Sequence, residues 1–163
     1  MRAAGTGRRW GAGVAAALLG AVAAGAAGVK LAEVKSDPPA ASGKQVWSFR
    51  FTPGETRDYE QIVFECVLKQ EYTKRGSDGS VRKMSVEPAT FVYREKNVRM
   101  VEDLDKHISF WVPLGMDDIQ QAYGKMFQTN APVTVSRFKV TAIAEGKEAW
   151  SIELPNAGVR TFE

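Results

Sequence analysis

The sequence predicts an α+β domain: a mostly antiparallel, curved sheet of about seven or eight strands with one amphipathic helix packed on it, preceded by an N-terminal signal or anchor segment. Three observations predict it. From Trp47 to Leu154, apolar and polar residues alternate in short runs separated by Gly-, Asp- and Asn-containing turns, the period of half-buried strands. One stretch, Ile119 to Phe127, switches to helical spacing. The first 29 residues have the composition of a leader rather than of a core.

The leader comes first in the chain. Met1 to Trp10 is a short basic region containing Arg2, Arg8 and Arg9, and Gly11 to Val29 then runs without a charge. Ala24 and Ala26 form a small-x-small cleavage pattern just before Ala27, completing the basic, apolar, small order of a signal peptide. A helix over the uncharged stretch would span roughly 28 Å, about one hydrocarbon core, so a retained membrane anchor has the same sequence support in length. Ala and Gly dominate that stretch and add little to membrane insertion, which favours cleavage. Ala32 to Lys44, with Pro38-Pro39 and Ser42-Gly43 and no periodicity, reads as linker. The organisation expected is therefore leader 1–29, linker 30–44 and β-rich domain 45–163.

Within the domain, Trp47, Phe49 and Phe51 alternate with Ser48 and Arg50 in a strand ending at Pro53-Gly54. Tyr59 to Thr73 is a long strand with Ile62, Phe64, Cys66 and Leu68 on one face. The run Arg75-Gly76-Ser77-Asp78-Gly79 has turn composition, so Val81 to Val86 returns as its hairpin partner and Pro88 ends it. Thr90 to Arg94 and Val98 to Val101 read as two strands joined by a tight turn at Glu95-Lys96-Asn97. His107 to Val112 follows a second turn at Asp103–Lys106, and short connections favour antiparallel pairing throughout.

Ile119, Ala122, Tyr123, Met126 and Phe127 then fall on one helical stripe. Asp117 and Asp118 occupy the first turn, where carboxylates favour the positive end of the helix dipole, and Asn130 and Pro132 stop the helix. Val133 to Ala144 and Ala149 to Leu154 form a last hairpin over Glu145-Gly146-Lys147. A single curved sheet covered by the helix is the simplest way to bury both apolar faces, and a partly closed barrel plugged by the helix is the variant.

Charge narrows the function classes. The formal net charge is +3, from 22 Lys and Arg against 19 Asp and Glu. Setting aside Arg2, Arg8 and Arg9 leaves 19 basic residues beyond the leader, equal to the acidic ones. A neutral body lacks the general basic excess of nucleic-acid binders, so no nucleic-acid partner is expected. The one cysteine, Cys66, cannot form an internal disulfide, a pattern compatible with a cell-envelope protein large enough to do without crosslinks.

No residue pattern carries catalysis. Cys66 shares a strand face with Ile62, Phe64 and Leu68 and reads as a small core hydrophobe. His107, the only histidine, opens a strand after a charged turn and reads as an exposed polar residue, with nothing in the sequence to bring it to Cys66. Glu102, Asp103, Asp105, Asp117 and Asp118 lack calcium-loop spacing and fit a solvated turn and a helix start. One Cys and one His make no zinc pattern. The expectation is no catalytic residue, no cofactor and no metal.

The aromatic residues remain. Phe110 and Trp111 are adjacent on a strand and must point to opposite sides, so one of them leaves the main core. With Phe91 and Tyr93 they are the expected interaction surface. The sequence thus leads to an exported, non-enzymatic binding domain using an aromatic-rich sheet surface, with a protein partner or an apolar or lipid ligand. Its location would be periplasm, cell envelope or medium. The alternative is an accessory subunit of a membrane complex, held by residues 11–29 with the domain outside the cytoplasm.

Overall fold

The computed structural model of the chain describes residues 28–37, 43–123, 127–128 and 131–155. The leader reading from residue 1 to 27, and with it Met126 and Asn130, lies outside the described residues, whereas its expected last residue, Val29, is the first of a strand. Among the described residues, seven strands and one short helix follow in the order β1 (Val29–Ser36), β2 (Lys44–Pro53), β3 (Arg57–Arg75), β4 (Val81–Met100), β5 (Lys106–Pro113), α1 (Met116–Tyr123), β6 (Val133–Ala144) and β7 (Lys147–Leu154). The domain is mostly antiparallel sheet, as the alternation predicts.

The strands divide between two sheets instead of forming one. A three-stranded sheet has the order β1-β2-β5, and a four-stranded sheet has the order β4-β3-β6-β7. Each has one face of alternating apolar residues, and the two faces bury each other. From the first sheet come Trp47, Phe49, Phe51, Ile108 and Phe110. Ile62, Phe64, Leu68, Phe138, Val140 and Trp150 face them from the second. The helix therefore does not have to cover a sheet. Ile119 and Phe127 join the core and Tyr123 packs on it, whereas Ala122 of the expected stripe is exposed.

Four local expectations are corrected. Residues 30–36 are not linker: they form β1, which pairs antiparallel with β2 and buries Val29, Leu31 and Val34. The uncharged leader runs directly into these apolar positions, which hides their alternation. Pro88 does not end its strand. The register steps from Leu68↔Ala89 to Gln70↔Val86, and a bulge on an edge strand accommodates a residue with no N–H. Glu95-Lys96-Asn97 is not a turn, because β4 runs through it in register with β3. Asn97 sits at φ 53, a left-handed conformation that Asn tolerates, and the alternation skips a step there. Tyr59 and Val98 are buried below it, and Ile62 and Phe64 above it. Finally, β4 and β5 are not hydrogen-bonded neighbours. The Val101–Leu104 turn, with Asp103 N–H donating to the Pro53 carbonyl at 3.1 Å, carries the chain from one sheet to the other.

Two glycines are dictated by geometry. Glu145 (φ 52) and Gly146 (φ 69) make the two-residue turn between β6 and β7, whose conformation requires positive φ at both positions. Gly43 has φ +73, and a Cβ there would lie 2.5 Å from the Gly115 Cα. That close approach lets Leu114 N–H donate to the Gly43 carbonyl at 2.7 Å, tying the start of β2 to the end of β5.

The connections define two poles. Gly28, the β2–β3 turn, the β4–β5 crossing and the β6–β7 turn lie at one. The loop from β5 through α1 to β6 lies at the other, together with the continuation of β3 and β4 beyond Gln70.

Candidate functional site

The four aromatic residues expected to form one surface are divided by the fold. Phe110 is only 6% exposed and stacks on Tyr93, with centroids 4.5 Å apart and planes at 14°. Phe91 and Tyr93 sit on the edge strand β4, half-buried against the core. Tyr93 donates its hydroxyl hydrogen bond to the Glu95 carboxylate. That bond, together with partial burial, pushes the Tyr93 phenol up to about 12. Tyr93 and Phe110 bridge the gap between the edges β4 and β5. Phe110 is buried there, and Phe91 and Tyr93 remain partly exposed.

Trp111 alone points outward, at 49% exposure. The alternation of β5 puts it on the opposite side from Phe110, on the outer face of the three-stranded sheet. Val46 stands directly across from it on β2 and is itself 38% exposed. The Lys44 ammonium lies over the indole at 4.2 Å from its centroid, a cation–π contact worth about 0.5–1 kcal/mol at an exposed position. The patch thus combines an aromatic plane, an aliphatic side chain and a cation near the helix-bearing pole.

Farther along the same face the surface turns polar. Ser109 donates to Ser48 at 2.9 Å. Arg50 Nη1 reaches Asp105 at 3.0 Å and its Nε reaches Glu33 at 3.4 Å, while Lys35 meets Glu33 at 2.8 Å. Thr52 donates to the other Asp105 oxygen at 2.9 Å. The Arg50 hydrogen bond, aided by Thr52, lowers the Asp105 carboxyl, and Lys35 lowers that of Glu33. Asp105 in turn raises the Arg50 guanidinium. These exposed pairs orient the face but add little stability.

Cys66 and His107 do not meet. Cys66 is fully buried on the inner face of the four-stranded sheet, and burial, followed by the neighbouring Glu65 charge, pushes its thiol strongly upward. A thiol held protonated is a poor nucleophile. His107 is exposed on the outer face of the other sheet, opposite Arg50. Among the described residues no group of three His, Cys, Asp or Glu side chains is placed to hold a metal, and no helix is long and apolar enough to cross a membrane.

Sequence reasoning missed Gln70, fully buried at the helix-bearing pole. Its side-chain Nε2 donates to the carbonyls of Gln128 at 2.7 Å and Ala131 at 2.8 Å, and its Oε1 accepts from Gln128 N–H at 2.8 Å. It pins the segment following α1 to β3. The signal was present in the series Ile62, Phe64, Cys66, Leu68: the next inward position is an amide, and a buried amide must find partners. Gln45 acts similarly, accepting from Trp47 Nε1 at 3.2 Å.

No protein-family model matches this chain, and no relative is found among curated proteins.

Proposed function

We propose that the chain is an exported binding domain that works by surface contact, with a protein partner docking on the outer face of the three-stranded sheet around Trp111. The observation that carries this reading is Trp111 itself. Its strand neighbours Phe110 and Val112 are buried, as are Trp47 and Trp150, while this one indole stands half-exposed between Lys44 and Val46. Exposed Trp beside a cation is the composition of a contact hot spot. The other rings favour an external partner over an apolar ligand held between the sheets. Phe49 lies 4.8 Å from Phe64, 5.2 Å from Phe138 and 5.7 Å from Phe110, so that part of the interior is filled by the protein's own side chains. A non-enzymatic role fits the sealed Cys66 and its separation from His107.

The test is site-specific photocrosslinking in the native host, with a benzophenone amino acid at position 111 and, as control, at the exposed Ser151 of the four-stranded sheet. A discrete adduct from position 111 alone is the expected result. The same adducts from both positions, or none from 111, would overturn the assignment.

A second reading, an anchored accessory subunit, draws on the other pole. Gly54 N–H donates to the Gly28 carbonyl at 2.7 Å, so the leader joins the domain beside the β2–β3 turn and the β4–β5 crossing. Leu104 is 62% exposed there, with Val101 next to it. A retained leader would hold these apolar side chains against the bilayer. Sequencing the N-terminus of the native protein separates the readings. A start at Ala27 supports the exported domain, an intact Met1 in the membrane fraction supports the anchored one, and an intact Met1 in the cytosol excludes both.

A further inference from the structure

The hairpin of β3 and β4 extends past the rest of its sheet. Pairing of β3 with β6 ends at Gln70↔Val133. Beyond it, among the described residues, Glu71–Arg75 pair only with Val81–Ser85, forming a two-stranded arm at the pole opposite Gly28. The strand β3 has 19 residues, roughly 60 Å of extended chain, and its last quarter lies in this arm.

The arm has a composition unlike the neutral body. Lys74, Arg75, Arg82 and Lys83 place four cations on it, against Asp78 in the turn and Glu71 at the base. Glu71 is already engaged by Lys69 at 2.7 Å, and Asp78 accepts from the Ser80 N–H and hydroxyl. None of the four cations forms an ion pair among the described residues. Lys74 stands directly across from Arg82, a like-charge pairing that weakens a ribbon unless an anion lies between or beside the two. Apolar side chains are set among the cations: Val81 is 59% exposed and Met84 36%, with Tyr72 across from Met84.

We propose that this arm docks onto an anionic bilayer surface. The choice of a lipid surface follows from where the charges point. Alternation puts Lys74 and Arg82 on one face of the ribbon and Arg75 and Lys83 on the other, so neither face is neutral. A protein groove complements one face. A headgroup layer surrounds an inserted tip on every side, its phosphates meeting both pairs of cations while Val81 and Met84 enter the boundary with the acyl chains. The inference rests on the arm alone and not on the Trp111 surface.

Cosedimentation of the full chain with lipid vesicles tests it. Wild-type protein is expected to bind vesicles of mixed phosphatidylglycerol and phosphatidylcholine and to be released as salt is raised. Replacing all four cations (K74Q, R75Q, R82Q, K83Q) should weaken this binding about a thousandfold, by the contribution of each basic side chain near an anionic surface. The Val81→Ser variant, which keeps every charge, should weaken it by a smaller factor. The Trp111→Ala variant should bind as wild type, so the proposal stands or falls separately from the protein-docking surface. Equal binding to pure phosphatidylcholine, or no loss in the four-fold variant with its circular dichroism intact, would overturn the proposal. So would binding to duplex DNA at matched phosphate concentration as tight as to the anionic vesicles, which would assign the arm to nucleic acid.

Discussion

The lower and upper parts of the β3–β4 hairpin share one pair of strands and one antiparallel pattern but differ in what surrounds them. Below Gln70, β6 adds a third strand, and one face buries Ile62, Phe64, Cys66 and Leu68 against the opposite sheet. Above it, among the described residues, there is neither third strand nor facing sheet. There the side chains are Tyr72, Thr73, Lys74 and Arg75 on one strand and Arg82, Lys83, Met84 and Ser85 on the other. The lower part is stabilised by burial and the upper part only by its ladder and its turn. A ribbon of two strands is marginal in water unless something packs on it. Gln70 marks the change, because it is the last inward position and the first to require hydrogen bonds instead of apolar neighbours.

Four substitutions test that contrast, in decreasing order of effect. Phe49→Ala removes a ring that packs against Phe64, Phe138 and Phe110 at once, and should lower stability in urea unfolding by about 3–5 kcal/mol. A loss below about 1 kcal/mol would mean that the paired sheets do not depend on this cluster. Gln70→Leu keeps the volume but removes three hydrogen bonds at the junction. Leaving the Gln128 N–H and the two carbonyls without their partner should lower stability by about 2–3 kcal/mol and speed proteolysis near residue 128. In the arm, Lys83→Ala and Met84→Ala should each change stability by no more than about 0.5 kcal/mol. Amides of 73–75 and 82–85 should exchange with deuterium far faster than those of 64–68. Protection of the arm equal to that of the body would erase the distinction between the two regions.

Much of this contrast is readable from residue order, and some of it is not. Ile62, Phe64, Cys66 and Leu68 announce an inward face by their period, and the turn composition from Arg75 to Gly79 announces the hairpin. The change of period at Ile119 marks the helix, with Phe127 buried two turns later. Three features resist the same reading. The apolar positions of β1 follow the leader without a break, so Val29, Leu31 and Val34 carry no separate signal. Asn97 has turn chemistry, yet the strand passes through it because one left-handed residue shifts the facing without ending the ladder. Phe91, Tyr93 and Phe110 form an aromatic set whose location depends on which sheet edges approach each other. Local sequence is silent on that.

Sequence alone determined the strand-rich class, the hairpin turns, the helix start and the neutral balance of the body, because each follows from a side-chain period, from turn chemistry or from a count of charges. Tertiary structure alone decided that the strands split into two sheets, that Phe110 closes an edge while Trp111 faces outward, and that β3 and β4 outrun their neighbours. The physical reason is that pairing between distant strands is chosen by the summed burial of whole faces, and no single stretch of chain contains that sum.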